Sequence, residues 1–533
     1  MKLVNSAEMR LLEEKSAGIG VSPEVLMENA GLAIAEEVKK LGGDISGCRV
    51  LVLVGPGNNG GDGLVAARHI HDWGSKVTLC LCNRRTAGDK NFDLVKERGI
   101  SSIEAGSDQG LSALDRTLSS AEIVIDAMFG TGKLRPLQGK VKDVLDRVRM
   151  AKQTRLEITI VAVDLPSGLD ADSGAVDPVS LCADVTVTLG YPKVGLFAFP
   201  GAETVGRTIV ADIGIPEHLA KDIHTEVITP EWARSVLPMR PPDAHKGSFG
   251  RVLIAAGSEN YIGAAYLACA AATRVGAGLV TLATARSLQP ILAAKLSEVT
   301  YLPLPEAEPG IIDEQAALIL LEQLEDYDVL LMGCGLGQHP ATMEFVRESV
   351  FSLSKTSSSA LVLDADALNT LAKTSDWQQG LPVQAVLTPH PAEMSRLMGL
   401  STAEVQAERL GISRRAASDW QKVVVLKGAY TVIAKPGGQV KLNPAANPGL
   451  ASAGTGDVLA GAIAGLLAQG LSPFVAASTG VCLHSMAGEM VREKLGDAGM
   501  VASDLLIELP QVIKRLRELP PQSGELLLPT QAG

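Results

Sequence analysis

Aromatic residues are scarce in this sequence: 8 Phe, 6 Tyr and 4 Trp make up 3% of 533 residues. So few large flat side chains, set against 54 Gly, disfavour an all-β sandwich and suit layered α/β packing. No CxxC spacing occurs among the seven cysteines, which stand at 48, 80, 82, 182, 269, 334 and 482. An odd, scattered set supports neither a disulfide framework nor a zinc site, and a reducing cytoplasm is the expected compartment. Basic runs are missing as well. Lys plus Arg total 48 against 60 Asp plus Glu, a net charge of −12, so neither nucleic acid nor an anionic membrane is an expected partner. Long uncharged stretches are lacking: Arg274 interrupts 264–285 and Asp457 interrupts 450–468, short of the roughly 18 residues a membrane helix needs. The opening MKLVNSAEMRLLEEK has no apolar core and is not expected to act as a signal peptide.

What is present is a globular composition, 46% hydrophobic and 20% charged, which excludes disorder for most of the length. At about 150 residues per domain the chain has room for several. Residues 1–46 read as helical, with Leu11, Leu12, Val25, Leu26, Leu32, Ile34 and Val38 spaced among charges. Short apolar runs then follow at 50–54, 77–82, 123–125, 158–163, 185–189 and 208–210, each ending in a Gly-rich or acidic turn before a helical stretch. Strands alternating with helices predict a parallel sheet covered on both faces. Pro216, Pro230, Pro238, Pro241 and Pro242 punctuate a polar stretch, as in a linker. The alternation restarts with runs at 252–256, 279–283, 329–332, 360–363, 423–426 and 430–434. The expected organisation is a three-layer α/β domain over 1–216, a linker over 217–240, a second α/β domain over 241–519 and a loosely ordered tail over 520–533.

In the first half, RVLVLV runs into GPGNNGGDG (55–63), whose Gly55, Gly57 and Gly60 match G-x-G-x-x-G between a strand and a helix. Such glycines let backbone N–H groups approach a pyrophosphate. The loop departs from that fingerprint, because Pro56 removes an N–H and Asn58, Asn59 and Asp62 add polar side chains. The next strand ends in Asn83, Arg84 and Arg85, with no ribose-binding acid. An oxygen-rich loop of this kind can hold a cation, orient a ligand or serve only as a tight turn. Asp126 ends a second strand before a Gly-rich loop, and Asp164 ends a third before Pro166, Ser167 and Gly168. A single Asp at a strand end is commonly a helix cap, but three oxygen-rich loops at successive carboxyl ends point to a ligand crevice.

In the second half, NPGLASAGTGDVLAGAIAGLLAQG (447–470) sets Gly454, Thr455, Gly456 and Asp457 at the start of an apolar helix. Exposed N–H donors there form an anion hole for a phosphate, and Asp457 beside it is placed to take a proton from an attacking hydroxyl. MGCGLGQHP (332–340) and KGSFGRVLIAAGS (246–258) add Gly-rich strand ends, and His390 stands between two prolines after a strand. Lys427 and Gly428 fall at a hairpin where an ammonium and amides can meet a nucleotide. DADALN (364–369) carries two carboxylates that suit either Mg²⁺ waters or a helix cap.

Taken together, GPGNNGGDG, DAMFGTG and VDLPSGLD resemble the epimerase domain of NAD(P)H-hydrate repair enzymes. KGSFGRVLIAAGS, YIGAAYLA, GCGLG, TPHPAE, KGAYT and AGTGDVLAG resemble their dehydratase domain, which is similar to the ribokinase fold. The resemblance spans residues 1–515. It implies a Rossmann-like αβα epimerase domain and a ribokinase-like αβα dehydratase domain acting on NADH and NADPH hydrates. The first would interconvert R and S hydrates. The second would dehydrate the S form while ADP, with Mg²⁺, becomes AMP and phosphate. Asn58, Asn59, Gly60, Gly61, Asp62, Gly130, Thr131, Gly132, Lys133, Leu134, Arg135, Pro136 and Asp164 would hold the hydrate in the first domain. Asn59, Asp126 and Ser167 would bind K⁺. In the second domain Ala264, Gly335, His390 and Asp457 would contact the hydrate, and Lys427, Gly428, Ala429, Tyr430, Thr431 and Gly456 the nucleotide.

The resemblance makes Asp457 the expected base of dehydration and Asp164 the expected proton acceptor of epimerisation, with Lys133 as competitor or partner. A sugar or vitamin kinase fits the second half alone, and a non-catalytic binding module fits the first. The Ala/Gly-rich helices are expected to pack into a homo-oligomer.

Overall fold

One arginine followed by five aliphatic residues gives strand β1 (Arg49–Val54), whose five aliphatic positions are all buried. A continuous apolar run of this kind belongs in the middle of a parallel sheet, covered on both faces. The computed structural model describes residues 1–107, 109–132, 136–356, 359–382 and 384–519. It divides into two compact units, Met1–Thr225 and a second that begins at Glu226.

In the first unit β1 is joined by β2 (Lys76–Leu81), β3 (Ser101–Glu104), β4 (Ile123–Ala127), β5 (Thr159–Val163), β6 (Val185–Leu189) and β7 (Arg207–Ala211). They form a seven-stranded sheet in the order β3-β2-β1-β4-β5-β6-β7, with every pair parallel. Alternate β1 side chains serve the two layers. Val50, Val52 and Val54 pack with Ile34, Leu64 and Ile70, while Leu51 and Leu53 pack with Leu145 and Val148. The chain leaves β1 toward β2 on one side and returns through β4 on the other. That reversal opens a crevice at the carboxyl ends of β1 and β4. Helices Ser6–Gly18 and Pro23–Gly42 precede the sheet. The first starts at a reciprocal cap between Asn5 and Glu8, the second at Ser22 with Pro23 in its first turn.

The division at Thr225/Glu226 falls within the stretch expected to be a linker. That stretch is folded. It holds a 3₁₀ turn (Glu217–Ala220), β8 (Thr225–Val227) and helix Pro230–Val236, with Ala220, Val227 and Ala233 fully buried. Pro230 starts an element rather than loosening the chain: it opens the helix behind Thr229, which accepts from Trp232 N at 3.1 Å.

The second unit contains β9 (Arg251–Ala255), β10 (Leu279–Ala285), β11 (Thr300–Leu304), a ribbon of β12 (Glu306–Glu308) with β13 (Ile311–Ile312), β14 (Val329–Met332), β15 (Ala360–Leu363), β16 (Ala385–Leu387), β17 (Val423–Leu426), β18 (Val432–Ala434) and β19 (Val440–Leu442). Its main sheet runs β11-β10-β9-β14-β15-β16-β17-β18-β19-β8. The pairs from β11 to β17 are parallel, and β17-β18-β19 are antiparallel. The switch point lies between β9 and β14.

Helix Thr455–Ala468 crosses helix Ile262–Arg274 at very close range. A Cβ on Gly461 would stand 2.1 Å from the Ala268 carbonyl oxygen, and one on Gly465 would stand 2.7 Å from that of Ala272. The small residues of these two helices therefore serve packing inside the unit. Among the described residues, no helix is long and apolar enough to cross a membrane.

Candidate active sites

In the first unit the glycine-rich segment is less of a loop than the sequence suggested. Helix Asn58–Asp72 begins within NNGGD, with Gly57 as its N-cap. The glycines allow that helix to sit down on the sheet. A Cβ on Gly55 would meet the Met128 carbonyl at 1.8 Å, and one on Gly60 would meet that of Gly55 at 2.1 Å. Arg84, at the end of β2, donates to the Gly55 and Gly57 carbonyls at 2.8 and 3.0 Å and pairs with Asp89 at 2.6 Å. It pins the turn.

Asp126, at the end of β4, is buried. It accepts from Ser167 Oγ at 2.6 Å, Ser167 N at 2.8 Å and Met128 N at 3.3 Å. Burial raises its carboxyl pKa, and these three hydrogen bonds oppose the rise. Asp164, after β5, adopts a left-handed φ of +66°, a strained conformation for a residue with a side chain. Its Oδ1 forms an ion pair with Lys193 and accepts from Leu189 N at 3.0 Å. A Cβ on Gly130 would stand 3.1 Å from Asn59 Oδ1 and 3.5 Å from Asp164 Oδ2, so these three residues face one another. Among the described residues, Asn59 Nδ2 is buried without a hydrogen-bond partner. Asp62 is buried close by. Burial pushes its carboxyl well above the usual range; Asp164 and Glu13 push the same way, against Lys193 and Arg84.

Thr131 is half-buried, while Asn58, Gly132 and Pro136 are exposed and Gly61 is buried. Lys133, Leu134 and Arg135 lie outside the described residues. Lys193, Glu13 and Arg84 were not singled out from sequence. The signal available for Lys193 was one lysine inside the otherwise uncharged VTVTLGYPKVGLFAF (185–199).

In the second unit, Gly454 takes φ +91° as the N-cap of helix Thr455–Ala468, placing Gly456 and Asp457 in its first turn. The reactive atoms of Asp457, Asp364 and Cys334 lie within 4.8 Å of one another. Burial, then Asp364, raises the Asp457 carboxyl to about 6. Asp364 Oδ1 accepts from Lys427 Nζ at 2.5 Å and from Thr388 Oγ1 at 2.7 Å. Burial opposes the Lys427 ammonium, but Asp364 and Glu393 outweigh it and hold its pKa above the ordinary value. A Cβ on Gly456 would stand 3.4 Å from Lys427 Nζ, so these two expected nucleotide contacts adjoin. Of the two DADALN carboxylates, Asp364 makes no capping bond, and Asp366 holds the glycine loop through Gly337 N at 2.8 Å.

Gly335 (φ +61°) lies against Ala264: a Cβ on it would stand 2.7 Å from the Ala264 Cβ. His390 caps helix Pro391–Met398, its Nδ1 accepting from Ala392 N at 3.1 Å. Burial, then Lys427, lowers its pKa. Glu393 N donates to the same Nδ1 at 3.4 Å, and its carboxylate accepts from His390 N at 2.8 Å; burial raises that carboxyl to about 7. In the hairpin, Thr431 Oγ1 donates to the Gly428 carbonyl at 2.7 Å, Tyr430 is buried, and Gly428 and Ala429 are exposed. Arg409 supports the hairpin from beneath, donating to the Leu426 and Lys427 carbonyls at 3.0 and 3.1 Å. His484 Nε2 meets the Thr455 carbonyl at 2.9 Å, and burial lowers its pKa to about 4, which keeps the ring neutral near pH 7. The Asp364 pairing, Cys334, Arg409 and His484 were not assigned from sequence.

Each unit thus sets a buried lysine–aspartate pair and a second acid at the carboxyl ends of a parallel sheet, the arrangement of an α/β enzyme with two sites. Family models agree with the division: residues 23–195 match a YjeF-related protein N-terminus, and residues 252–511 match an NAD(P)H-hydrate dehydratase. The bifunctional NAD(P)H-hydrate repair enzyme Nnr of Moorella thermoacetica is 43% identical over 97% of this chain and 98% of its own. That of Thermofilum pendens is 38% identical over 97% of each chain. A crystal structure of the ADP/ATP-dependent NAD(P)H-hydrate dehydratase from Bacillus subtilis, co-crystallized with ATP/Mg²⁺, matches with a TM-score of 0.48 and 34% identity, covering 55% of this chain and 98% of that one. This chain belongs to the family of bifunctional NAD(P)H-hydrate repair enzymes.

Proposed function

We propose that the first unit interconverts the R and S hydrates of NADH and NADPH, and that the second dehydrates the S form with conversion of ADP to AMP and phosphate. The observation that carries the second half is Asp457 in the first turn of a helix with a glycine N-cap, beside the Asp364–Lys427 pair. A carboxyl raised to about 6 is largely ionised at neutral pH yet basic enough to accept a proton in the transition state.

Asp457 takes the proton of the hydrate hydroxyl as that oxygen attacks the terminal phosphorus of ADP. The bond from that phosphorus to the bridging oxygen breaks, and AMP leaves with the electron pair. The N–H groups at Gly454–Gly456 stabilise the charge that develops on the phosphoryl oxygens. Phosphate then departs from the ring carbon and a proton leaves the neighbouring carbon, which restores the dihydronicotinamide. Ala264 and Gly335 form the wall against the hydrate, with His390 at its edge. Lys427 to Thr431 and Gly456 receive the nucleotide. Asp364 and Asp457 would be the carboxylates to hold Mg²⁺ through its waters, and the ion would supply charge neutralisation to the diphosphate; the Cys334 thiol is a poor partner for so hard an ion.

In the first unit Asn59 Oδ1, Asp126 and Ser167 would offer the oxygens for K⁺, while the Asn59 Nδ2 donor, without a partner among the described residues, suits an accepting group of the hydrate. The ion would fix the 126–130 loop. Asp62, Gly60, Gly61 and the 130–136 loop would hold the hydrate, with Asp164 as proton acceptor. Seven free cysteines suit a reducing cytoplasm. Assembly into a homo-oligomer belongs to the same reading, with exposed Leu318, Ile319 and Ile507 as candidate contact points.

The test is incubation of mixed NADH hydrate epimers with ADP. Return of the dihydronicotinamide absorbance from both epimers, dependent on nucleotide, is expected. Accumulation of a stable phosphorylated alcohol would instead make the second unit a kinase.

A further inference from the structure

Lys193 heads the large side chains that are wholly excluded from solvent among the described residues. It lies just beyond β6, and its backbone is stitched to the amino terminus: Val4 N donates to the Pro192 carbonyl at 3.0 Å and Val194 N to the Val4 carbonyl at 3.1 Å. The side chain therefore has a fixed root. Its ammonium donates to the Leu189 carbonyl at 2.8 Å and to Thr188 Oγ1 at 3.3 Å, and it forms an ion pair with Asp164 Oδ1. A buried ammonium persists where its charge and all its protons are met, as they are here.

The pairing is one-sided. Asp164 Oδ1 accepts from Lys193, Leu189 N and Thr188 Oγ1. Asp164 Oδ2 faces Gly130 and Asn59 instead, where the first unit's crevice lies. Backbone geometry fixes the same orientation: Asp164 N donates to the Val187 carbonyl at 2.8 Å while the residue keeps its left-handed φ of +66°.

We propose that Lys193 is the positioning residue of epimerisation, clamping Asp164 through Oδ1 so that Oδ2 meets the oxygen exchanged at the hydrate carbon beside Gly130. The inference rests on the reading of the first unit as the epimerase. In that step the carbon–oxygen bond breaks and the hydroxyl leaves as water, taking a proton from Asp62. The ring nitrogen lone pair fills the vacated position. Water then adds to the opposite face, the electron pair returns to nitrogen, and the released proton passes to Asp164 Oδ2. Exchange with solvent returns the two acids to their starting forms. Burial raises the Asp62 carboxyl, the direction a proton donor needs. Among the described residues, the charged groups around Asp164 are Lys193, Asp62 from helix Asn58–Asp72 and Glu13 from helix Ser6–Gly18, with Arg84 acting on Asp62.

The experiment compares the wild-type chain with Lys193→Met and Lys193→Arg, supplying R or S NADH hydrate and following epimer ratio and coenzyme separately. Lys193→Met should dehydrate the S hydrate at the wild-type rate while its kcat for epimerisation falls by about 10²-fold at little-changed KM. The acid limb of its epimerase pH profile should move to higher pH, because a buried carboxylate has lost its counter-charge. A purely structural role would lower the amount of active enzyme without moving that limb. Lys193→Arg keeps the charge but displaces it, and should lower kcat per folded molecule at little-changed KM with the limb in place; where the Met variant does not fold, a wild-type kcat per folded molecule in the Arg variant would overturn the inference. Epimerisation by folded Lys193→Met within about threefold of wild type, or an unmoved limb, would overturn the inference, since a group acting on the proton transfer is expected to matter by far more. A wild-type chain that does not epimerise would overturn the reading of the unit rather than the role of Lys193 within it.

Discussion

The two units use the same electrostatic arrangement at the carboxyl ends of different sheets. In the first, Lys193 holds Asp164, and burial raises the carboxyl of the neighbouring Asp62. In the second, Lys427 holds Asp364 and Asp457 is raised only to about 6. The surroundings set the difference. Asp62, the fifth residue of its helix, is buried and faced by Asp164 and Glu13, whereas Asp457 lies in a first helical turn close to the Lys427 charge. The comparison teaches that a lysine–aspartate pair leaves the neighbouring acid's role open. On the proposed reading, the more deeply buried acid would serve as a proton donor and the one in a first helical turn as a base next to a phosphate.

The largest expected effect follows from that contrast. Asp457→Asn should lower dehydration by about 10²–10⁴-fold, the range for loss of a general base, and leave epimerisation intact. A rate of S-hydrate dehydration near wild type would remove Asp457 from its role. Lys427→Met should cost the second unit about 3–5 kcal/mol by stranding the buried Asp364 carboxylate, and differential scanning calorimetry should show the loss in that unit's transition alone. A smaller effect concerns pH. The base form of Asp457 is lost as pH falls through about 6, so dehydration should have its acid limb there. His484, neutral down to about 4, should not contribute. Smallest is Gly461→Ala. Its Cβ would press on the Ala268 carbonyl, and overpacking of this kind costs about 1–3 kcal/mol, again confined to the second unit's melting.

Much of the fold was legible because aliphatic runs such as RVLVLV and VVVL can be satisfied only inside a covered sheet. β3 was not, because SSIE is a mostly exposed edge strand without an apolar pattern. β16 is only three residues long, and the prolines near 230 read as loosening where they start a helix. The glycine turns, Asp126 and Asp164 were legible at strand ends, and Asp457 at a helix start. Their partners were not. Lys193 lies 29 residues from Asp164, and Lys427 lies 63 residues from Asp364. Only the parallel order of strands brings each pair together, and local patterning carries no record of that order. Lys427 illustrates the gap: its position at a hairpin was visible, but its pairing with Asp364 was not.

The account's central claim is that each unit carries out one step on the same damaged coenzyme. The most direct measurement gives pure R hydrate of NADH and ADP to the wild-type chain, Asp164→Asn and Asp457→Asn, following both epimers and coenzyme in time. The wild type should convert all of it to NADH. Asp457→Asn should bring R and S to equilibrium with no NADH formed, and Asp164→Asn should release NADH no faster than the hydrates interconvert unaided. NADH formed from the R hydrate by Asp164→Asn at the wild-type rate would contradict the account.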